Sequence, residues 1–325
     1  MSEVKRVFIT GASGFLGSRL LSDFAERGFE SYVLVRDRNN FAKHFTSSRV
    51  NVLEGDMETI GKHPKELSSC NYFVHLAGEK RDTTKMRQTN VDSLKIILEE
   101  VIKHPHLNFM LMSSAGVYGI RKNPSRVLDE KVICHPENLY EQTKLEAENL
   151  LKEFAKTHPV NYVILRPTNI FGEQDPDRKF LNLMRALQKG NVFLINSRAI
   201  SNYVSARFVS EAVIQIINAP KFTNEIYNVN LPVFLSDFIS ILKSALGVHS
   251  QTRYLPAWVA YPLAILGDLL PRKIQFFNPD KYFELTNEKI ITIEKLKKII
   301  PVDEKQMLSD ALKKLAAHYK FNHWL

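Results

Sequence analysis

Tyr140-Glu141-Gln142-Thr143-Lys144 places a phenol and an ammonium four residues apart at what reads as the start of a helix, so both side chains lie on one face. A free tyrosine, with a pKa of about 10, is a poor base at neutral pH, but a neighbouring positive charge favours its phenolate. Such a pair suits proton exchange with a hydroxyl. The spacing alone carries little weight, because a chain of 325 residues with 11 Tyr and 27 Lys yields about one such pair by chance. Position has to supply the rest.

A second group of residues does so. Thr10-Gly11-Ala12-Ser13-Gly14-Phe15-Leu16-Gly17 joins a β-branched run to an amphipathic helical pattern. A sharp turn, close approach of an anion to backbone amides and tight helix–sheet packing each remove a β-carbon at one position, and Gly11, Gly14 and Gly17 fit those three demands. Ser13, Phe15 and Leu16 supply the backbone between them, at a helix N-terminus that offers unpaired N–H groups to a pyrophosphate. The chemistry implied is dinucleotide binding. In such folds an acidic residue after strand two suits the ribose of NAD, and a basic one suits the 2′-phosphate of NADP. Here that strand ends Val35-Arg36-Asp37-Arg38, so Arg36 and Arg38 favour NADP(H) over NAD(H).

The elements that must position these groups follow from periodicity. Val4–Thr10, Ser31–Arg36, Val50–Glu54, Tyr72–Leu76, Phe109–Ser113 and Tyr162–Arg166 read as strands. Phe15–Arg27, Thr83–Lys103 and Pro136–Thr157 read as helices, long enough for the crossovers that parallel strands require. The expected fold is therefore α/β, a doubly wound parallel sheet of Rossmann type over residues 1–170. Residues 171–325 are expected to form mainly a smaller, mostly helical substrate lobe, with segments near 200–230 returning to the sheet. Its helices are read at Ser205–Asn218, Leu235–Leu246, Trp258–Leu270 and Ser309–Tyr319. The apolar stretch Trp258–Leu270 is too short to span a bilayer and is expected to be a buried helix.

Composition fits a globular chain, 44% hydrophobic and 24% charged, with a net charge of +9 that calls for an anionic ligand or partner. Cys70 and Cys134 are too few for a disulfide framework and lack metal-ligand spacing, so no metal is expected and the cytoplasm is the expected compartment. The opening MSEVKRVFITGASG does not read as a signal peptide. No nucleic-acid recognition module and no membrane span are expected.

The order of the glycine turn, Ser113-Ser114-Ala115-Gly116-Val117-Tyr118-Gly119, the Tyr140/Lys144 pair and Arg166-Pro167-Thr168-Asn169-Ile170-Phe171-Gly172 resembles the extended short-chain dehydrogenase/reductases over approximately residues 4–215. That resemblance implies reversible hydride transfer with Ser114, Tyr140 and Lys144 as the catalytic set: Ser114 holds the substrate oxygen, and Tyr140 exchanges its proton. It also implies cofactor contacts from Asp56 with the adjoining Met57, from Leu76, Ala77 and Gly78, and from Lys80 and Pro167. Asn90 would hold backbone near the lysine. Tyr118 and Asn169 would meet the substrate, Tyr118 as a pocket wall.

Ala115-Gly116 stands where dehydratases of the superfamily carry Asp-Glu, so loss of water is not expected. A nucleotide-sugar epimerase or reductase is the leading expectation. Against it, Ser201 occupies the place of the family's substrate-phosphate Arg, leaving Arg198 or Arg207 as substitutes. Leu255-Pro256-Ala257-Trp258 resembles reductases of hydrophobic carbonyl compounds, which gives the alternative, and a non-enzymatic dinucleotide-binding role is the third. The family's habit of pairing the Asn90 and Tyr140 helices implies a homodimer.

Overall fold

A computed structural model describes residues 4–325 other than 221, 223 and 269–276. Seven strands, β1 (Arg6–Thr10), β2 (Glu30–Val35), β3 (Val50–Glu54), β4 (Tyr72–His75), β5 (Asn108–Met112), β6 (Asn161–Pro167) and β7 (Glu225–Val229), form one parallel sheet. Their order is β7-β6-β5-β4-β1-β2-β3. From β1 the chain steps outward to β3, then crosses to the other side of β1 and steps outward again. The reversal leaves a crevice beyond the carboxyl ends of β1 and β4, where doubly wound sheets bind ligands.

Helices cover both faces. They include α1 (Phe15–Glu26), α2 (Ser93–Val101), α3 (Leu139–Thr157), α4 (Ala206–Asn218), α5 (Leu235–Leu246), α6 (Ala257–Asp268), α7 (Pro279–Thr286) and α8 (Glu304–Phe321). Alternation along β1 divides the core: Val7 and Ile9 pack with Leu20 and Phe24 of α1 and Val209 and Val213 of α4. Phe8 faces the opposite side with Leu94 and Ile97 of α2 and Ala147 and Leu151 of α3. Phe8, Phe73 and Phe109 stack across β1, β4 and β5 with successive ring centroids 5.2 Å apart.

The expected strands and crossover helices are present to within one or two residues at most ends, and Pro136–Thr157 begins later, at Leu139, behind an Asn138 cap. Thr83–Lys103 is helical but contains a π turn at Gln88–Asp92. The lobe helix differs in a more consequential way. Within α6 only the small Ala260, Ala264 and Gly267 are buried, whereas Trp258 is 79% exposed and Leu266 60%. The expectation of a buried helix fails because the apolar composition is satisfied on one narrow side alone; its last two expected residues lie outside the described residues.

A buried ion pair locks α3 to the sheet. The guanidinium of Arg166, in β6, donates to both carboxylate oxygens of Glu148 at 2.9 and 2.6 Å, and both residues are almost wholly buried. Ser113 donates to the same carboxylate at 2.6 Å, and Arg166 also donates to the Tyr118 hydroxyl at 2.9 Å. Removing one partner of such a pair strands the other charge away from water. Glu148→Ala is therefore expected to cost about 3–5 kcal/mol of unfolding free energy, read from urea denaturation midpoints.

Candidate active site

The glycine turn closes on itself before α1 begins. The Gly14 amide donates to the Gly11 carbonyl at 3.1 Å, and Gly11 has φ +76°, a left-handed backbone that favours glycine. A β-carbon on Gly11 would collide with the backbone of Leu76 and Ala77 at the end of β4, lying 2.8 Å from the Leu76 carbonyl carbon. One on Gly17 would strike the Gly11 carbonyl oxygen and sit 2.7 Å from the Ala12 Cα. The Gly14 cap has no side-chain hydrogen bond to the first turn of α1, and no acidic side chain lies in that turn. Free amides, a positive helix end and a surface without β-carbons form a fitting cradle for a dinucleotide pyrophosphate.

That cradle and the candidate catalytic residues border one cavity of about 560 Å³, lined by Gly11, Gly14, Phe15, Leu16, Gly17, Leu76, Gly78, Lys80, Ser114, Tyr140, Lys144, Pro167 and Asn169 among others. Ser113 and Ser114 follow β5, and the Ser114 hydroxyl accepts from the Gly116 amide at 3.1 Å, which fixes its direction. Tyr140 and Lys144 come from the first two turns of α3, with the Lys144 nitrogen 6.0 Å from the Tyr140 ring centroid. That nitrogen donates to the Met112 carbonyl at 2.9 Å.

The electrostatics differ from the sequence expectation. Burial pushes the Tyr140 phenol above its usual value, opposed by its hydrogen bond to Ser114 and reinforced by Glu141. Burial instead lowers Lys144 itself to about 8, opposed by Glu148 one helical turn away. Beneath it His75, bonded to Thr10 at 2.6 Å, is held neutral with a pKa of about 3 by burial and by the Lys144 charge.

Asn90 lies buried within the π turn. Its side chain accepts from the Glu79 amide at 2.8 Å and donates to the Glu79 carbonyl and the Thr143 hydroxyl. Asn90 thus ties the loop after Gly78 to the helix that carries Lys144. A β-carbon on Gly78 would lie 3.1 Å from the Lys144 nitrogen.

Arg36, Arg38, Asp56 and Met57 lie apart from this cavity, beyond the carboxyl ends of β2 and β3. Asp37 caps the short helix Arg38–His44 by accepting from the Asn40 amide at 2.8 Å, and both arginines are exposed. Asp56 caps the 3-10 helix Met57–Lys62. Ser13 is exposed in the glycine turn, and Ala77 packs against Gly11.

Tyr118 is a correction. It is fully buried, its hydroxyl donates to Asn228 at 2.8 Å, and burial pushes its phenol up to about 12. Its place beside Arg166 makes it part of the polar network under α3, not a pocket wall. The proposed phosphate substitutes also fall away from the site: Arg198 pairs with Glu288 at 3.3 Å, and Arg207 lines a separate cavity of about 320 Å³ between α4 and α8. Asn169, by contrast, borders the 560 Å³ cavity, a larger one of about 800 Å³ and a smaller one of about 250 Å³. Ser201 lines the larger cavity with its hydroxyl buried and unpaired.

Sequence reasoning missed Lys179, which lines both main cavities and donates to the Ile170 carbonyl at 2.7 Å, and it missed Glu148. Glu148 had a signal: Tyr140, Lys144 and Glu148 repeat at intervals of four on one helical face. Among the described residues no group of His, Cys, Asp and Glu is arranged to hold a metal ion.

A parallel sheet with this strand order and a β-carbon-free turn at its switch point define the doubly wound class of dinucleotide-binding folds. The sequence matches the model of the NAD dependent epimerase/dehydratase family over residues 7–230, and the chain belongs to that family. The N-acetyl-alpha-D-glucosaminyl-diphospho-ditrans,octacis-undecaprenol 4-epimerase of Escherichia coli O157:H7 is 30% identical over 275 residues, covering 80% of this chain and 77% of that protein. The UDP-glucose 4-epimerase of Vibrio cholerae is 24% identical, covering 78% of each. The solved UDP-N-acetylglucosamine 4-epimerase of Methanobrevibacter ruminantium M1 superposes with a TM-score of 0.73 at 18% identity, over 98% of this chain and 99% of that one.

Two measurements test this geometry. Gly17→Ala pushes the turn open and is expected to weaken dinucleotide binding about tenfold or more, read by calorimetric titration. A lysine whose folded pKa of about 8 lies below its ordinary 10.5 destabilises the fold while charged, fully below pH 8 and progressively less as pH rises toward 10.5. The stability of the parent relative to Lys144→Met should accordingly rise by about 3 kcal/mol across that window, measured as the difference between their urea curves at each end.

Proposed function

We propose that the protein is a sugar 4-epimerase that acts on a hexose carried through a diphosphate, by removing and returning hydride at one secondary alcohol. The observation that carries this reading is the single cavity bordered by both the glycine turn and Ser114, Tyr140 and Lys144. When bound, a nicotinamide dinucleotide supplies a hydride acceptor and donor. Gly11, Gly14, Gly17 and the amides of α1 would hold its pyrophosphate. Leu76, Ala77, Gly78, Lys80 and Pro167 would flank the part nearer the chemistry.

Ser114 orients the substrate oxygen and Tyr140 exchanges its proton, taking it as the alcohol becomes a ketone and giving it back on reduction. Burial holds the phenol above its usual range, which suits the donating half-reaction. Lys144 places a positive charge under the ring and braces α3 against the end of β5. Asn169, at the meeting of the cavities, would contact the sugar, and Lys179 offers the diphosphate a cation where Ser201 offers none.

The names of the relatives support a diphosphate-linked sugar: one carries undecaprenol as the second substituent and the other a nucleoside. Arg36 and Arg38 suit a 2′-phosphate, which favours NADP over NAD as the resident dinucleotide. A homodimer through the Asn90 and Tyr140 helices completes the reading.

Supplied with UDP-N-acetylglucosamine and with a polyprenyl-diphospho-N-acetylglucosamine, the protein should interconvert at least one with its 4-epimer, followed by chromatography of the released sugar. Tyr140→Phe should lower the rate about a hundredfold or more. No Tyr140-dependent product from either compound would sink the assignment. For the cofactor, Arg36→Ala should erase a preference for NADP(H) in direct binding, and equal affinities in the parent would refute that preference.

A further inference from the structure

The helix α6 inverts the usual arrangement of a surface helix. Its small residues Ala260, Ala264 and Gly267 face the protein, while Trp258, Tyr261, Leu263, Ile265 and Leu266 are 79, 54, 47, 44 and 60% exposed. From Ala257 to Gly267 the helix has no charged side chain. Tyr254, just before it, is 53% exposed, and the neighbouring Arg253 is exposed as well. A water-facing patch of this kind needs a cover.

We propose that α6 seats the protein in the surface of an anionic lipid bilayer, and that the diphospho-sugar is taken there on a lipid carrier; the second half rests on the function proposed above. Several observations choose a bilayer over a protein partner. Trp258, Tyr261 and Tyr254 combine an apolar body with a polar tip, the side chains that settle at the boundary of headgroups and acyl chains. Twelve residues span about 18 Å, too little for the ~30 Å hydrocarbon layer. No helix among the described residues is long and apolar enough to cross a membrane. A helix of this length reaches no further than one leaflet. The net charge of +9 and the exposed Arg253 complement an anionic surface.

The placement also serves the site. Tyr261 packs edge-on against Tyr282 of α7, with ring centroids 5.3 Å apart. The same α7 lends Phe283, Glu284 and Leu285 to the 800 Å³ cavity, whose wall includes Asn169 and Lys179 of the 560 Å³ cavity. One short helix therefore joins the bilayer-facing surface to the lining of the candidate active site.

The test measures binding and turnover separately. Sedimentation with vesicles containing phosphatidylglycerol, against vesicles of phosphatidylcholine alone, should show the parent bound more tightly to the former and released by high salt. Tyr140→Phe should bind like the parent. The double variant Trp258→Glu/Leu266→Glu should bind about tenfold more weakly or worse, while keeping its melting temperature and its dinucleotide affinity. On a polyprenyl-diphospho-sugar in those vesicles its KM should rise about tenfold, with kcat unchanged.

Absent vesicle binding by the parent, or equal binding by the double variant, overturns the docking surface. So does a parent dimer that the double variant converts to monomer, since a second copy would then cover α6. Turnover of the nucleotide sugar with none of the lipid-linked sugar overturns the carrier. Vesicle binding that depends on Trp258 and Leu266, without turnover of either sugar, supports docking and overturns the functional reading instead.

Discussion

A positive charge kept out of water is the constraint on which the site depends. Lys144 is buried, and its ammonium is tolerated because the Met112 carbonyl accepts from it and Glu148 sits one helical turn further along α3. Glu148 in turn is wholly buried and needs Arg166. The chain of dependence runs from the lysine through α3 into β6, and from Arg166 to Tyr118 and Asn228, so β7 and the turn after β5 are drawn into the same network. The geometry of the candidate site and the packing of helix on sheet are thus one arrangement. A half-satisfied version would be worse than an apolar core.

The glycine turn depends on the opposite condition, the absence of atoms. Its three glycines permit the chain to leave β1, graze the end of β4 and enter α1 with its first amides unclaimed. One side of the cavity is thus made of backbone, where a pyrophosphate can approach closely. The other side is made of side chains from β5, α3 and the loop after β6, where shape and proton position matter. The crevice between β1 and β4 exists because the winding reverses there, so topology and chemistry coincide.

What the sequence disclosed and what it concealed divide along physical lines. Gly11, Gly14 and Gly17, and Tyr140 with Lys144, were legible because their meaning lies in local backbone and in spacing on a single helix. The six strands through Tyr162–Arg166 were legible by their β-branched and apolar runs. Glu148 was legible only as a third position on the face of Tyr140 and Lys144, since its partner Arg166 lies 18 residues away on another element. Tyr118 was misplaced because a motif gives its position in the chain but not the direction of its ring. The phenol of Tyr140 was expected low and is raised, because desolvation depends on the whole surroundings and not on the nearest lysine. For α6 the apolar composition spoke of exclusion from water without saying by what.

The π turn at Gln88–Asp92 bears on how such a chain can vary. An extra residue is accommodated inside what would otherwise be a regular helix, and Asn90 sits within it. Deleting one residue there would restore ordinary helical winding with the flanking turns in place, but would remove the wide turn in which Asn90 sits. The amide that grips Glu79 would swing off the loop it anchors. The grip on the loop after Gly78 thus depends on the length of this segment as well as on the amide that it carries.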